Sequence, residues 1–217
     1  MNYKGFKNLL GSFYPPDEIY IYPQFFSTLS NKDYCSGLGE VVKFNVIAGG
    51  SRFDHIEQDI DDILMHDYKK LLSYVHTSLE FKKNFIEEDE FDRGIRILLN
   101  FAHTFGHALE SVSSYAVPHG SAVAIGMMIA NNISFQRGFL EKEYTNRIAH
   151  VCKKILGNIV IKSDWINIDD WIAAIRKDKK QTSESINAVL IKKDKKLAIF
   201  KDIEKNEIEK AIKMIMW

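Results

Sequence analysis

The sequence predicts a mainly α protein: a multi-helix domain with a short extended segment near its N-terminus and a small β-hairpin near its C-terminus. Three observations carry this expectation. Apolar residues recur at steps of three and four over most of the chain. Pro is scarce, with 4 in 217 residues, and clusters early at Pro15, Pro16 and Pro23, so little interrupts a helix later. Only one late stretch carries two β-type runs around a charged turn.

Taken in order, Glu18–Tyr22 reads as a short extended segment between prolines. Gly37–Ala48 is a helix candidate closed by Gly49-Gly50. Residues 54–87 carry helical spacing with many charges, and residues 93–113 form the clearest helix. Further helices are predicted over 121–136, ending near Gly138, and over 141–156 and 169–177. Ile186–Ile191 and Leu197–Phe200 flank Lys192-Lys193-Asp194-Lys195-Lys196, which predicts a hairpin. No internal repeat, low-complexity linker or strong boundary divides the chain, so residues 1–217 are read as one domain.

Composition excludes several classes. Apolar residues are 46% and charged residues 27%, enough for a sizeable core and against global disorder. Lys plus Arg is 29 and Asp plus Glu is 29; a chain without basic excess is not expected to bind nucleic acid. The longest apolar run, Ala122–Ala130, is interrupted by Gly126 and falls far short of the about 20 residues that span a bilayer. No membrane association is expected, and the N-terminal text lacks a signal-peptide core. Cys35 and Cys152 form no CxxC pair, which fits a reducing cytoplasm. A glycine-rich phosphate loop between strand and helix is missing; Gly49-Gly50 ends a helix rather than starting one.

The informative text is RGIRILLNFAHTFGHALESVS, Arg93–Ser113. On a continuous α-helix, Arg96, Asn100, His103, His107 and Glu110 would fall within about 80° of one another, at about 100° per residue. The opposite arc holds Leu98, Phe101, Phe105, Ala108, Leu109 and Val112. A merely solvated face is usually rich in Lys and Glu; His and Asn are weaker helix formers and call for a reason. Two His at i, i+4 can hold one metal from a single face, though no HExxH glutamate accompanies them. A third imidazole follows in Pro118-His119-Gly120, where Gly permits close approach to another element. Glu40 and Lys43, three apart in GLGEVVK, share a helical face in an otherwise apolar run.

Together these pieces resemble 3-dehydroquinate synthase, a zinc- and NAD-dependent sugar-phosphate cyclase family. The matching text is KNLLGSFYPP at Lys7–Pro16, GLGEVVK at Gly37–Lys43, DEFDRGIRILLNFAHTFGHALE at Asp89–Glu110, HGSAVAIGM at His119–Met127, and DKK at Asp178–Lys180. The resemblance covers the family's C-terminal, mostly helical half; the NAD-binding half has no counterpart in this sequence. It implies Glu40, His103 and His119 as ligands of zinc or another divalent metal such as cobalt, leaving a coordination position open for substrate. His107 then contacts substrate and helps move protons, and Lys43, which matches a substrate-contacting position, is the second catalytic group. Lys82, Arg96 and Asn100 match substrate contacts, Asn8 a phosphate-side contact, and Lys179, rather than Lys180, a substrate lysine. Lys7 and Thr28 lie where the family touches NAD.

The implied reaction converts 3-deoxy-arabino-heptulosonate 7-phosphate to 3-dehydroquinate and phosphate, with NAD transiently oxidising a ring hydroxyl. The expected partners are a small sugar phosphate and either a second copy or an NAD-binding half. The chain alone is expected to be inactive and to expose an apolar face near residues 1–30. Three positions depart from the family's usual text: Ala102 for Gly, Ser121 for Glu and Asp92 for Glu. Competing readings are a related sugar-phosphate cyclase, a group III metal-dependent alcohol or polyol dehydrogenase, which usually has Asp where Glu40 stands, and a non-catalytic metal- or anion-binding domain.

Overall fold

The computed structural model describes residues 10, 11, 14, 16–91, 94–177 and 185–215. An exposed lead-in precedes a 3-10 turn at Pro23–Thr28. Helix α1 (Asn31–Ala48) starts at Ser30, whose hydroxyl accepts from the Asp33 backbone N–H at 3.1 Å, and ends at Gly49 with φ +66°. Both ends are thus fixed by their local chemistry, a side-chain cap and a left-handed stop. The stretch read as helical over 54–87 is two helices, α2 (Ser51–Leu64) and α3 (Tyr68–Glu88). His66 breaks it at φ +67°, and Asp67 caps α3 by accepting from Lys69 and Lys70 N–H at 3.1 and 3.0 Å.

The predicted helix over 93–113 is not continuous. Residues 92 and 93 lie outside the described set, Ile95–Asn100 is a 3-10 turn, and helix α4 spans only His103–Val112. Between them Phe101 is extended and Ala102 is left-handed, at φ +70° and ψ −22°. The five polar residues therefore do not share one helix face; Arg96 and Asn100 come from the turn, and His103, His107 and Glu110 from α4.

Helix α5 (His119–Gln136) starts two residues before the predicted Ser121 and is buried from Gly120 to Ser134. It is the central rod; α1, α4, α6 (Lys142–Leu156) and the C-terminal helix α8 (Lys205–Ile215) pack around it. Two glycines let backbones approach. A Cβ on Gly120 would stand 1.7 Å from the Ser36 carbonyl oxygen of α1, and one on Gly126 would stand 2.2 Å from the Ala102 oxygen. Neither site has room for a methyl group, so these crossings fix where α1 and α4 sit against α5.

Helix α7 (Ile168–Arg176) precedes the hairpin of β1 (Ile186–Ile191) and β2 (Leu197–Ile203). The strands pair antiparallel with Ile191 opposite Leu197 and Ala188 opposite Phe200, and a bulge lies between Ile186 and Ala188. The turn closes through Lys195 at φ +59° and a Lys192 N–H to Lys196 O bond of 2.8 Å. Helix α8, absent from the sequence reading, buries Ile208, Ala211, Ile212 and Ile215. Arg137 at the end of α5 donates to Glu207 at 2.6 and 2.8 Å and to Asp202 at 2.9 Å, tying α8 and β2 to the rod.

Near the N-terminus, Ile19, Tyr20, Tyr22 and Phe25 are exposed. No helix among the described residues is long and apolar enough to cross a membrane.

Candidate active site

Glu40 lies on α1 one turn before Lys43, His103 opens α4, and His119 opens α5. The close crossings at Gly120 and Gly126 bring these three helix segments together. His103 Nε2 is 3.1 Å and His119 Nε2 is 3.4 Å from the same oxygen, Glu40 Oε1.

The other nitrogen of each ring is also engaged. His103 Nδ1 lies 3.1 Å from the Phe101 carbonyl oxygen, which can only accept, so Nδ1 carries the proton. His119 Nδ1 lies 3.2 Å from Glu110 Oε2, an acceptor when ionised. In the neutral form with Nδ1 protonated, each imidazole presents its Nε2 lone pair beside Glu40, the state that a metal binds; without a metal, a protonated Nε2 donates to Glu40 instead. Metal bonds of about 2.0–2.1 Å in tetrahedral geometry put ligand atoms about 3.3–3.4 Å apart. The two separations from Glu40, 3.1 and 3.4 Å, lie close to this and the three ligand atoms lie within 4.8 Å of one another, so the residues fit a divalent metal.

The charge pattern agrees. Burial pushes the Glu40 carboxyl up, but hydrogen bonds from His103 and His119 and the Lys43 ammonium outweigh it and hold the group well below the usual carboxylate range. Hydrogen bonds to Glu110 and Glu40 raise His119 to about 9 against its burial. Burial lowers His103 despite its bond to Glu40. Lys43 is 2% exposed; it donates to Glu40 Oε2 at 2.7 Å and to Leu99 O at 3.1 Å, and burial lowers its pKa.

A cavity of about 430 Å³ opens beside this cluster, lined by Glu40, Lys43, Lys82, Arg96, Asn100 and His103, with Phe44 and Leu99. The broken helix thus still delivers Arg96 and Asn100 to the site. Asp89 shapes their turn by accepting from Gly94 N–H at 2.7 Å and Arg96 N–H at 3.0 Å. Arg96 also donates to Glu90 O at 2.6 Å, and Asn100 donates to Ile97 O at 2.9 Å. Three cationic side chains, Lys43, Lys82 and Arg96, surround one polar cavity beside the Glu40, His103 and His119 cluster, an arrangement suited to an anion.

His107 packs its ring edge-on to His103, with centroids 5.3 Å apart, and lies 5.8 Å from His119. It is not in the candidate metal group of Glu40, His103 and His119 but belongs to an overlapping candidate group, His107, Glu110 and His119. Thr28 is exposed at the end of the 3-10 turn, its hydroxyl donating to Phe25 O at 2.8 Å, and does not line the cavity. Lys7, Asn8, Lys179 and Asp92 lie outside the described residues. Sequence reasoning missed the carbonyls of Phe101 and Leu99, because backbone acceptors leave no mark in a sequence. Ser121, which stands where the family usually has Glu, is buried with no partner for its hydroxyl among the described residues, and the carboxylate beside His119 is that of Glu110, 3.2 Å from Nδ1.

Residues 37–181 match the family described as 3-dehydroquinate synthase C-terminal. The chain belongs to the 3-dehydroquinate synthase family. The 3-dehydroquinate synthase of Dictyoglomus turgidum is 37% identical over 214 residues, spanning 98% of this chain and 59% of that protein. That of Clostridium tetani is 38% identical over 211 residues, spanning 97% and 56%. The chain therefore covers well under two thirds of these 3-dehydroquinate synthases. Among solved structures, 2-epi-5-epi-valiolone synthase from Streptomyces hygroscopicus subsp. jinggangensis, with NAD+ and Zn2+ bound, superposes with a TM-score of 0.83 at 22% identity, over 96% of this chain and 58% of that one. A 2-deoxy-scyllo-inosose synthase complexed with carbaglucose-6-phosphate, NAD+ and Co2+ gives 0.80 at 22%, over 98% and 60%. At that identity they show a shared fold.

Proposed function

We propose that this chain is the metal- and substrate-binding half of a 3-dehydroquinate synthase, acting on 3-deoxy-arabino-heptulosonate 7-phosphate to give 3-dehydroquinate and phosphate. The observation that carries the reading is the convergence of His103 Nε2 and His119 Nε2 on Glu40 Oε1, at 3.1 and 3.4 Å, beside a cationic cavity. Glu40, His103 and His119 would hold a zinc or cobalt ion, and Lys7 and Thr28 would touch NAD. When bound, the metal supplies Lewis acidity toward substrate hydroxyls, and NAD supplies the redox chemistry.

The chain's own residues bind and orient. Lys82 and Arg96 hold a carboxylate or phosphate by charge-assisted hydrogen bonds, with Asn8 and Lys179 adding to them. Asn100 orients hydroxyls through its carboxamide. Lys43, buried against Glu40, presents a positive charge where the substrate's oxygens develop negative charge. His107, next to both ligand imidazoles, accepts and returns a proton at a substrate oxygen. The cationic cavity favours a sugar phosphate over the uncharged polyols of metal-dependent dehydrogenases.

The exposed Ile19, Tyr20, Tyr22 and Phe25 suit contact with an NAD-binding half or a second copy. On its own the 217-residue chain then holds metal but releases no phosphate. Phosphate release from the heptulosonate phosphate is measured with the chain alone and with a separately produced NAD-binding half. Activity only in the mixture, dependent on metal and NAD, supports the reading. A full rate from the chain alone overturns the half-enzyme claim, and no rate in a verified complex overturns the reaction.

A further inference from the structure

We propose that Glu110 is a positioning residue for the metal centre: its carboxylate accepts the Nδ1 proton of His119 and so fixes the tautomer and direction of that imidazole. The inference rests on the reading of Glu40, His103 and His119 as the ligands, and goes beyond it by assigning a role to a residue outside that set.

The two imidazoles are held in different ways. The His103 side chain is 15% exposed, and the Phe101 carbonyl, two residues earlier, fixes its Nδ1 at 3.1 Å. The His119 side chain is 44% exposed and sits at the first position of α5, where a ring has more freedom to turn. Its Nδ1 meets Glu110 Oε2 at 3.2 Å. The Glu110 side chain is 7% exposed, on the α4 turn two turns beyond His103 and facing the start of α5. A carboxylate buried this deeply needs a partner to offset its lost hydration, and an imidazole N–H directed at it meets part of that need. The arrangement also constrains His119. With Nδ1–H donated to Glu110, only Nε2 carries a free lone pair, and Nε2 is the atom that faces Glu40 Oε1 at 3.4 Å. Carboxylate acceptors on ligand imidazoles raise ligand basicity and orient the ring.

The same atoms allow a rival arrangement, because His107, Glu110 and His119 could themselves surround an ion. That would take His119 Nδ1 as a ligand atom, and a neutral imidazole cannot give both nitrogens to metals. With one ion at Glu40, His103 and His119, Glu110 is an acceptor and not a ligand.

The test uses the full 217-residue chain loaded with Zn2+ or Co2+. Metal affinity is measured by chelator competition, stoichiometry by elemental analysis, and the ligand field by the Co2+ visible spectrum. Nitrogen-15 NMR of labelled histidine reads the His119 tautomer in the Zn2+-loaded protein, with Nδ1 expected to carry the proton. The expected result is one metal per chain in the wild type and a loss of affinity of about 10–100-fold in Glu110→Ala. A smaller loss is expected in Glu110→Gln, which keeps an acceptor oxygen, with an altered Co2+ spectrum in both. Glu110→Gln also covers the case in which Glu110→Ala does not fold. Wild-type affinity and spectrum in the folded variants overturn the positioning role while leaving the ligand set intact. Two metals in the wild type and one in the variants make Glu110 a ligand and overturn it too. No metal in the wild type overturns the ligand reading, and this proposal with it.

Discussion

Replacing Ala102 by Gly tests the break that directs His103 into the site. Ala102 is 2% exposed and left-handed, at φ +70°. An L-residue in that region costs about 1–2 kcal/mol, which Gly would remove. Against this, Gly gives up a buried methyl worth about 0.8 kcal/mol and loosens the unfolded chain by about 0.4–1 kcal/mol. The sum lies within about 1 kcal/mol of zero, so Ala102→Gly is expected to be close to neutral. Ala108 is the control: it is 1% exposed inside α4 with helical backbone. There Gly costs about 1 kcal/mol in propensity and about 0.8 kcal/mol in burial, with no strain to relieve. For a chain of this size 1 kcal/mol moves Tm by about 2–4 °C, so Ala108→Gly should lower it by about 4–7 °C. Ala102→Gly should shift it by less than about 4 °C in either direction. Thermal unfolding of the two variants by circular dichroism decides. Equal destabilisation would show that Ala102 is not left-handed and that the helix runs through.

Glu207→Gln should cost about 1–2 kcal/mol near neutral pH in urea unfolding, through loss of a charge-assisted pair with Arg137. Hydrogen bonding to Arg137 holds the Glu207 carboxyl below its usual value; its stabilisation is present above the unfolded pKa of about 4.3 and is lost as pH falls through the folded value. The difference between wild type and variant should therefore shrink below about pH 4, and an undiminished difference at pH 3 would refute it. Burial pushes the Cys152 thiol up to about 12 and leaves it 0% exposed, so alkylation followed by mass spectrometry should modify Cys35 well before Cys152 in the folded chain; equal rates would contradict this. Arg96→Ala should weaken binding of a substrate analogue about tenfold or more and reduce its salt sensitivity in calorimetry, in line with loss of one charge-assisted contact; unchanged binding would remove the cationic cavity from the substrate site.

Much of the α-rich fold was legible because burial imposes steps of three and four, and the hairpin because two β-type runs flank a charged turn. The break at Ala102 was hidden by the same rule. A 3-10 turn and an α-helix both keep steps of three to four, so the polar stripe ran unbroken through the text while the backbone turned at Phe101 and Ala102. A Gly at 102 would have marked the left-handed position; Ala does not. His66 hid the α2–α3 break in the same way. Helix α8 is masked in the sequence because charges dominate its text, although Ile208, Ala211, Ile212 and Ile215 carry a helical pattern. The ligand convergence on Glu40 depends on three helices that only packing at Gly120 and Gly126 brings together, so it entered through family resemblance and not through spacing. Spacing alone points to the His103–His107 pair, whereas in the structure it is His103 and His119 whose Nε2 atoms meet the same Glu40 oxygen.

The central claim is that one metal sits on Glu40, His103 and His119. Zinc affinity of the purified chain, measured by chelator competition with His103→Ala, His119→Ala and His107→Ala in parallel, tests it most directly. The account predicts one zinc per wild-type chain, a loss of binding of 100-fold or more on removing a protein ligand, on the order of 2.7 kcal/mol, for His103→Ala and His119→Ala, and little change for His107→Ala. Equal losses in His103→Ala and His107→Ala, with His119→Ala unaffected, would contradict it and make the i, i+4 pair the metal site.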